Sequence, residues 1–85
     1  LIFKGTSLIL NFSTSAAGYI IIELADEQGN VIAGRSSDDC LPVIGNETAR
    51  EVRWKNGWDV SDLEGKVISM RIKMKDADLY SLKFE

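Results

Sequence analysis

The stretch Lys66-Val67-Ile68-Ser69-Met70-Arg71-Ile72-Lys73-Met74-Lys75 decides the fold, because Ile68, Met70, Ile72 and Met74 alternate in it with Ser69, Arg71, Lys73 and Lys75. Successive side chains of a strand point to opposite faces, so this run builds a strand with one apolar face and one basic face. A helix competes for the same region. Val60, Leu63, Val67, Met70 and Met74 also fall near helical spacing, and Ser61 with Glu64 resembles a capping box. Gly65 decides against it, since a glycine inside a helix costs about 1 kcal/mol relative to alanine. The sequence therefore predicts at most one helical turn over Ser61-Asp62-Leu63-Glu64 and a strand afterwards.

The same period of two recurs on both sides of this run. Leu8, Leu10 and Phe12 share one face of a strand over Ser7–Ser13, and Ile20, Ile22 and Leu24 one face of a strand over Tyr19–Leu24. Ile21 makes the second of these apolar on both sides, as expected of the central strand. Asp26-Glu27-Gln28-Gly29-Asn30 supplies turn chemistry and predicts a hairpin into Val31-Ile32-Ala33. Gly34 to Thr48 has no period and reads as a long loop. Val52 and Trp54 alternate with Glu51, Arg53 and Lys55 in a strand over Arg50–Lys55, which the Asn56-Gly57 turn signal ends. Tyr80, Leu82 and Phe84 alternate in a last strand over Leu79–Phe84. Asp76-Ala77-Asp78 before it predicts a tight link, so the chain is expected to close with a hairpin. About six to seven short strands with turn signals between them predict an all-β fold, an antiparallel, jelly-roll-like β-sandwich. A small closed barrel is the alternative.

Composition narrows the function classes. The chain has 85 residues, 45% of them hydrophobic and 27% charged, which fits a single domain over residues 1–85 with no room for a second core. A chain of this size hides roughly 60–65% of the surface its unfolded form exposes, so it gains from leaning on a neighbour. Histidine is absent, which removes Ser-His-Asp and Cys-His catalysis and imidazole-dependent zinc sites. No run approaches the roughly 18 apolar residues of a membrane span, so no membrane partner is expected. With 13 acidic against 10 basic side chains there is no electrostatic footprint for nucleic acid. The opening Leu1-Ile2-Phe3-Lys4-Gly5 reads as part of an excerpt from a longer chain. No cofactor is expected.

One resemblance adds to this reading. Trp54-Lys55-Asn56-Gly57, Asp59-Val60-Ser61, Leu63-Glu64-Gly65-Lys66, Met70-Arg71-Ile72 and the run from Lys75 to Phe84 together resemble the closing segment of certain β-sandwich domains. These domains follow the catalytic domain in bacterial glycoside hydrolases, notably five-bladed-propeller enzymes acting on fructans and related glycans. The segment from Asn11 to Gly18 and the Asp39-Cys40 loop are similar to the same group. The resemblance implies a non-catalytic accessory domain, partnered by the catalytic domain of the same chain, in an extracellular or periplasmic bacterial enzyme. It carries over no catalytic residue, because such enzymes keep their carboxylates in the propeller. A complete accessory sandwich of that kind is longer, so some strands are expected outside these residues.

Glycoside hydrolysis needs two carboxyl groups facing each other across the scissile bond. Asp26 with Glu27, Asp62 with Glu64 and Asp76 with Asp78 instead sit where acids cap turns. Asp38 and Asp39 offer oxygen ligands or sugar-hydroxyl acceptors, without the spacing of a calcium loop. Trp58 follows the Asn56-Gly57 turn beside Asp59, where its ring is placed to stack on a sugar or to anchor a neighbouring domain. Trp54 reads as core, Cys40 as a small buried hydrophobe, and Arg71, Lys73 and Lys75 as a solvated basic row. The carbohydrate-binding or interface candidates are thus Trp58, Asp59, Asp38 and Asp39. A carbohydrate-binding module is the alternative to the accessory role.

Overall fold

The computed structural model describes every residue from Leu1 to Glu85. Three antiparallel strands form one sheet in the order β2-β1-β3, with β1 at Leu8–Ala25, β2 at Asn46–Glu51 and β3 at Ser69–Phe84. The chain is mostly β and has no α-helix. A single 3-10 turn at Ser61–Leu63 occupies the place where the sequence predicts one helical turn.

The strand count differs from the expectation because neighbouring segments fuse. Ser7–Ser13 and Tyr19–Leu24 are two halves of the 18-residue β1, and the segments on either side of Asp76 are two halves of the 16-residue β3. The closing hairpin at Asp76-Ala77-Asp78 is therefore corrected: β3 runs through these residues. Thr14 pairs with Ala77 and Tyr19 with Lys75, so Ser15–Gly18 bulges against Asp76, which takes φ 46°. Gly18 permits the close approach, since a Cβ there would lie 2.4 Å from the Asp76 carbonyl oxygen and 2.5 Å from that of Lys75. A bulge and a turn both demand residues that tolerate unusual dihedrals, so Asp-Ala-Asp reads alike for either.

Other boundaries shift for similar reasons. β2 begins at Asn46, inside the segment that reads as loop, and ends at Glu51. Val52 and Trp54 lie beyond it and are buried as expected. The hairpin into Val31–Ala33 reduces to one bridge between Ala25 and Val31. Its turn forms as predicted: Asp26 Oδ1 accepts the N–H groups of Gln28 and Asn30 at 3.0 and 2.9 Å, and Gly29 takes φ 86°.

β1 is the central strand on both sides of its Ser15–Gly18 bulge. Beside β2 on one edge, the irregular chain continues the pairing: Ile20 exchanges two hydrogen bonds with Val43, and Leu24 pairs with Ile32 and Arg35. Between them the Ile22 N–H is accepted by Cys40 Sγ at 3.4 Å, and the Ile22 carbonyl accepts Trp54 Nε1–H at 3.1 Å. The core forms where Leu8, Leu10, Phe12, Ile20, Ile22 and Leu24 of β1 meet Phe3, Cys40, Val43, Val52, Trp54, Val60, Leu63 and Ile68. Irregular chain, rather than a second sheet, supplies the facing layer.

That layer covers β1 and reaches β3 only in part, Phe3 stacking on Phe84. Met70, Leu79, Leu82 and Phe84 are only half-buried, whereas Ile72 is 39% and Met74 45% exposed. The expected burial of the whole apolar face of Lys66–Lys75 is corrected accordingly: Ile68 is buried ahead of the strand, and burial fades along it. Tyr80 is exposed because a bulge displaces it, Ser81 pairing with Asn11 and Leu79 with Phe12.

Two substitutions test this architecture. Gly18→Ala drives a methyl group into two backbone carbonyls and is expected to cost about 1–3 kcal/mol in chemical denaturation. Trp54→Phe removes the buried donor to the Ile22 carbonyl and is expected to cost about 1–3 kcal/mol by the same measurement.

Candidate functional site

Two loops at the Trp54 end of the core carry the four candidate residues. The first is the turn Ser36-Ser37-Asp38-Asp39. Asp39 Oδ2 accepts the Ser36 hydroxyl at 2.8 Å, while the Asp39 N–H returns to Ser36 Oγ at 3.2 Å and to the Ser36 carbonyl at 3.1 Å. The second is the chain from Trp54 to Ser61. Trp54 and Gly57 exchange two backbone bonds around Lys55-Asn56, and Asp59 Oδ1 accepts the Ser61 N–H at 2.8 Å.

The loops are tied together from below. Lys55 N–H donates to the Asp39 carbonyl at 2.7 Å, and Leu41 N–H to that of Arg53 at 2.8 Å. Arg35, only 7% exposed, completes the link. Its Nη2 donates to the Asp59 carbonyl at 2.6 Å and lies 3.4 Å from Asp62 Oδ1, while its guanidinium carbon sits 5.4 Å from the centroid of the Trp54 ring. Stacking on an aromatic face and donation from both Nη atoms offset part of the cost of burying the guanidinium, whose buried Nε–H has no partner.

The candidates stand on this base in different states. Trp58 is 38% exposed. Asp38 is exposed. The carboxylates of Asp39 and Asp59 are each engaged in capping their own turn, which lowers their capacity to accept from a ligand. Asp59 caps its own turn at Ser61, and Leu63 is buried. Trp54 is core and Cys40 a buried thiol, as expected. Burial pushes the Cys40 thiol's pKa up, and the Ile22 N–H opposes this. No three acidic or thiol side chains converge as a metal-ligand set.

Two surface depressions lie apart from these residues. One, of about 320 Å³, is bordered by Leu41, Pro42, Val43, Arg50, Glu51 and Arg53. Its arginines are already paired, Arg50 with Glu47 and Arg53 with Glu51 at 3.2 Å. The other, of about 450 Å³, is bordered by Ile32, Leu63, Val67, Ile68 and the polar side chains Asp26, Glu27, Gln28 and Lys66. Neither brings the four candidates together.

Sequence reading missed two residues that organise the site. Arg35 sits in an aperiodic run of small polar residues that gives no signal of a buried role. Glu23 is the other. Its carboxylate accepts the Ser37 N–H at 3.1 Å and Arg71 Nη1–H at 3.1 Å, joining β1, the candidate loop and β3. Charge alternation on β1 gave no sign of these partners. Comparison with known proteins yields no match: no known protein family, curated protein or solved structure matches this chain.

The Ser37 backbone hydrogen bond first, and Arg71 after it, hold the Glu23 carboxyl below its ordinary value of 4.5. The Ser61 hydroxyl and N–H hold Asp59 below its ordinary 3.8. A depressed folded-state pKa means that folding releases a proton, so the contribution is complete above the ordinary value and is lost as pH falls through the lowered one. The unfolding midpoint is expected to fall as pH drops below 4.5, and Glu23→Gln to flatten that decline, measured by thermal melts across the acid range.

Proposed function

We propose that this chain is a non-catalytic accessory β-domain of a glycan-degrading enzyme, packing on and stabilising the catalytic domain of the same polypeptide. The observation that carries the docking part is the half-covered β3, where Ile72 and Met74 stand 39% and 45% exposed on the face that elsewhere forms the core. Apolar side chains in line with a core mark a surface made to be covered. On this reading the chain contributes part of a jelly-roll-like β-sandwich of about six to seven strands, the remaining strands lying outside these residues. The glycoside hydrolase assignment rests on the resemblance of the segments from Trp54 to Phe84. The capping roles of Asp26, Asp39 and Asp59 are consistent with acids that serve the fold.

A second reading, a carbohydrate-binding module, is favoured by the exposed Trp58 ring with Asp38 on the neighbouring loop. Aromatic faces bind the C–H faces of sugar rings, and carboxylates accept hydroxyl hydrogens. The two readings separate in experiment. Deleting residues 1–85 from the parent polypeptide is expected to lower its unfolding temperature by several degrees while leaving kcat per folded molecule unchanged. An unaltered melting curve overturns the accessory reading. Titration with fructan and other glycan fragments is expected to leave tryptophan fluorescence unchanged. A saturable shift that Trp58→Ala abolishes selects the binding module instead.

A further inference from the structure

We infer that β3 receives an added strand along its outer edge from Ser69 to Lys75, and that this strand alternates apolar and acidic side chains. The inference rests on the accessory reading in one respect only, that a neighbouring segment covers this side of the chain. Backbone direction identifies the open groups. Ile20, Ile22 and Leu24 turn their N–H and C=O groups toward the Val43 side of β1. Tyr19, Ile21 and Glu23 therefore face β3 and engage Lys75, Lys73 and Arg71. By the same alternation, the N–H and C=O groups of Met70, Ile72 and Met74 point away from β1, where no strand lies.

The two faces beside this edge differ in chemistry. On one, Ile72 and Met74 leave apolar surface uncovered. On the other stand Lys73 and Lys75, which make no ion pair, whereas Arg71 is committed to Glu23 at 3.1 Å. In a chain of net charge -3 these lysines form a local reversal of sign. A strand laid along the edge places its alternate residues beside the apolar pair and beside the lysines. It gains on both faces only if the first set is apolar and the second acidic. Lysines on an edge also serve to discourage pairing, and here they do so selectively. A second copy running antiparallel about Lys73 would set Arg71 against Lys75 and Lys73 against itself, a repulsive register.

The test uses the 85-residue chain with a heptapeptide alternating glutamate and valine, and a lysine–valine counterpart as control. Expected are saturable binding of the acidic peptide only, weakening with salt, and slowed hydrogen exchange at the Met70, Ile72 and Met74 amides. Lys73→Glu with Lys75→Glu is expected to weaken binding by about tenfold or more, with protection of the β1 amides retained. Ile72→Pro, which removes an outward-facing donor, is expected to weaken it as well. Equal binding of both peptides, binding of neither, or self-association that protects the same amides overturns the inference. If the chain stabilises its parent while these three amides stay unprotected there, the accessory reading stands and the added strand falls.

Discussion

Everything in this fold hangs on how the second edge of β1 is completed. β2 reaches only as far as the first half of β1, and beyond it the chain has no further strand to offer. The gap is filled residue by residue: Val43 backbone at Ile20, the Cys40 sulfur and the Trp54 indole at Ile22, Ile32 and Arg35 backbone at Leu24. A buried amide or carbonyl left unpaired costs about 1–3 kcal/mol, so these substitutions for a strand decide where the irregular layer must sit. Trp54 does this while supplying one of the largest buried side chains, and Cys40 does so while packing as a small hydrophobe. Hydrogen bonding and core packing are thus the same contacts.

The candidate loops inherit their positions from that arrangement. Trp54, fixed by its bond to Ile22, offers its ring to the Arg35 guanidinium. Arg35 then gathers the Asp59 carbonyl, the Asn56 side chain and Asp62. Trp58 and Asp59 are therefore displayed on a short segment anchored at both ends. The Asp38–Asp39 turn is held beside them through Lys55. Glu23 reaches the same turn from the opposite face of β1 through Ser37. A surface supported in this way changes little when a partner arrives, which suits an interface or a stacking platform alike.

Legibility in the sequence followed the physics of each element. Alternation revealed β1 and β3 because one face of each is apolar and the period of a strand is independent of what lies across from it. It could not reveal that Asp76 is a bulge, since that depends on Gly18 of another strand coming close enough for a Cβ to collide. β2 escaped for the converse reason: Asn46-Glu47-Thr48-Ala49 has no apolar face, its residues being exposed, and it is a strand because β1 pairs with it. Trp54 and Cys40 were readable as buried by type alone, but their roles as backbone partners of Ile22 depend on three dimensions. Of the candidate site, Trp58 stood out by its place after Asn56-Gly57, but its exposure is decided only by the fold. The engagement of Asp59 by Ser61 followed in kind from its neighbour, whereas that of Asp39 by Ser36 did not, and Arg35 did not follow from any pattern.

β1 and β3 then differ in a way that bears on function. The outward groups of Ile20, Ile22 and Leu24 in β1 all find partners, whereas β3 pairs with β1 alone and carries a core face that is only partly covered. A domain of this size has limited apolar surface to spend on burial, and it is concentrated on the central strand. Pleating makes the consequence specific. In β3 the residues whose backbone groups face outward, Met70, Ile72 and Met74, are the same residues whose side chains are left partly uncovered. A single extended segment arriving at that edge would satisfy the open hydrogen-bonding groups and cover the apolar side chains together, and Lys73 and Lys75 on the reverse face would select its charge. Irregular chain completes β1 from within; the proposed neighbour would complete β3 by the same physical means from outside.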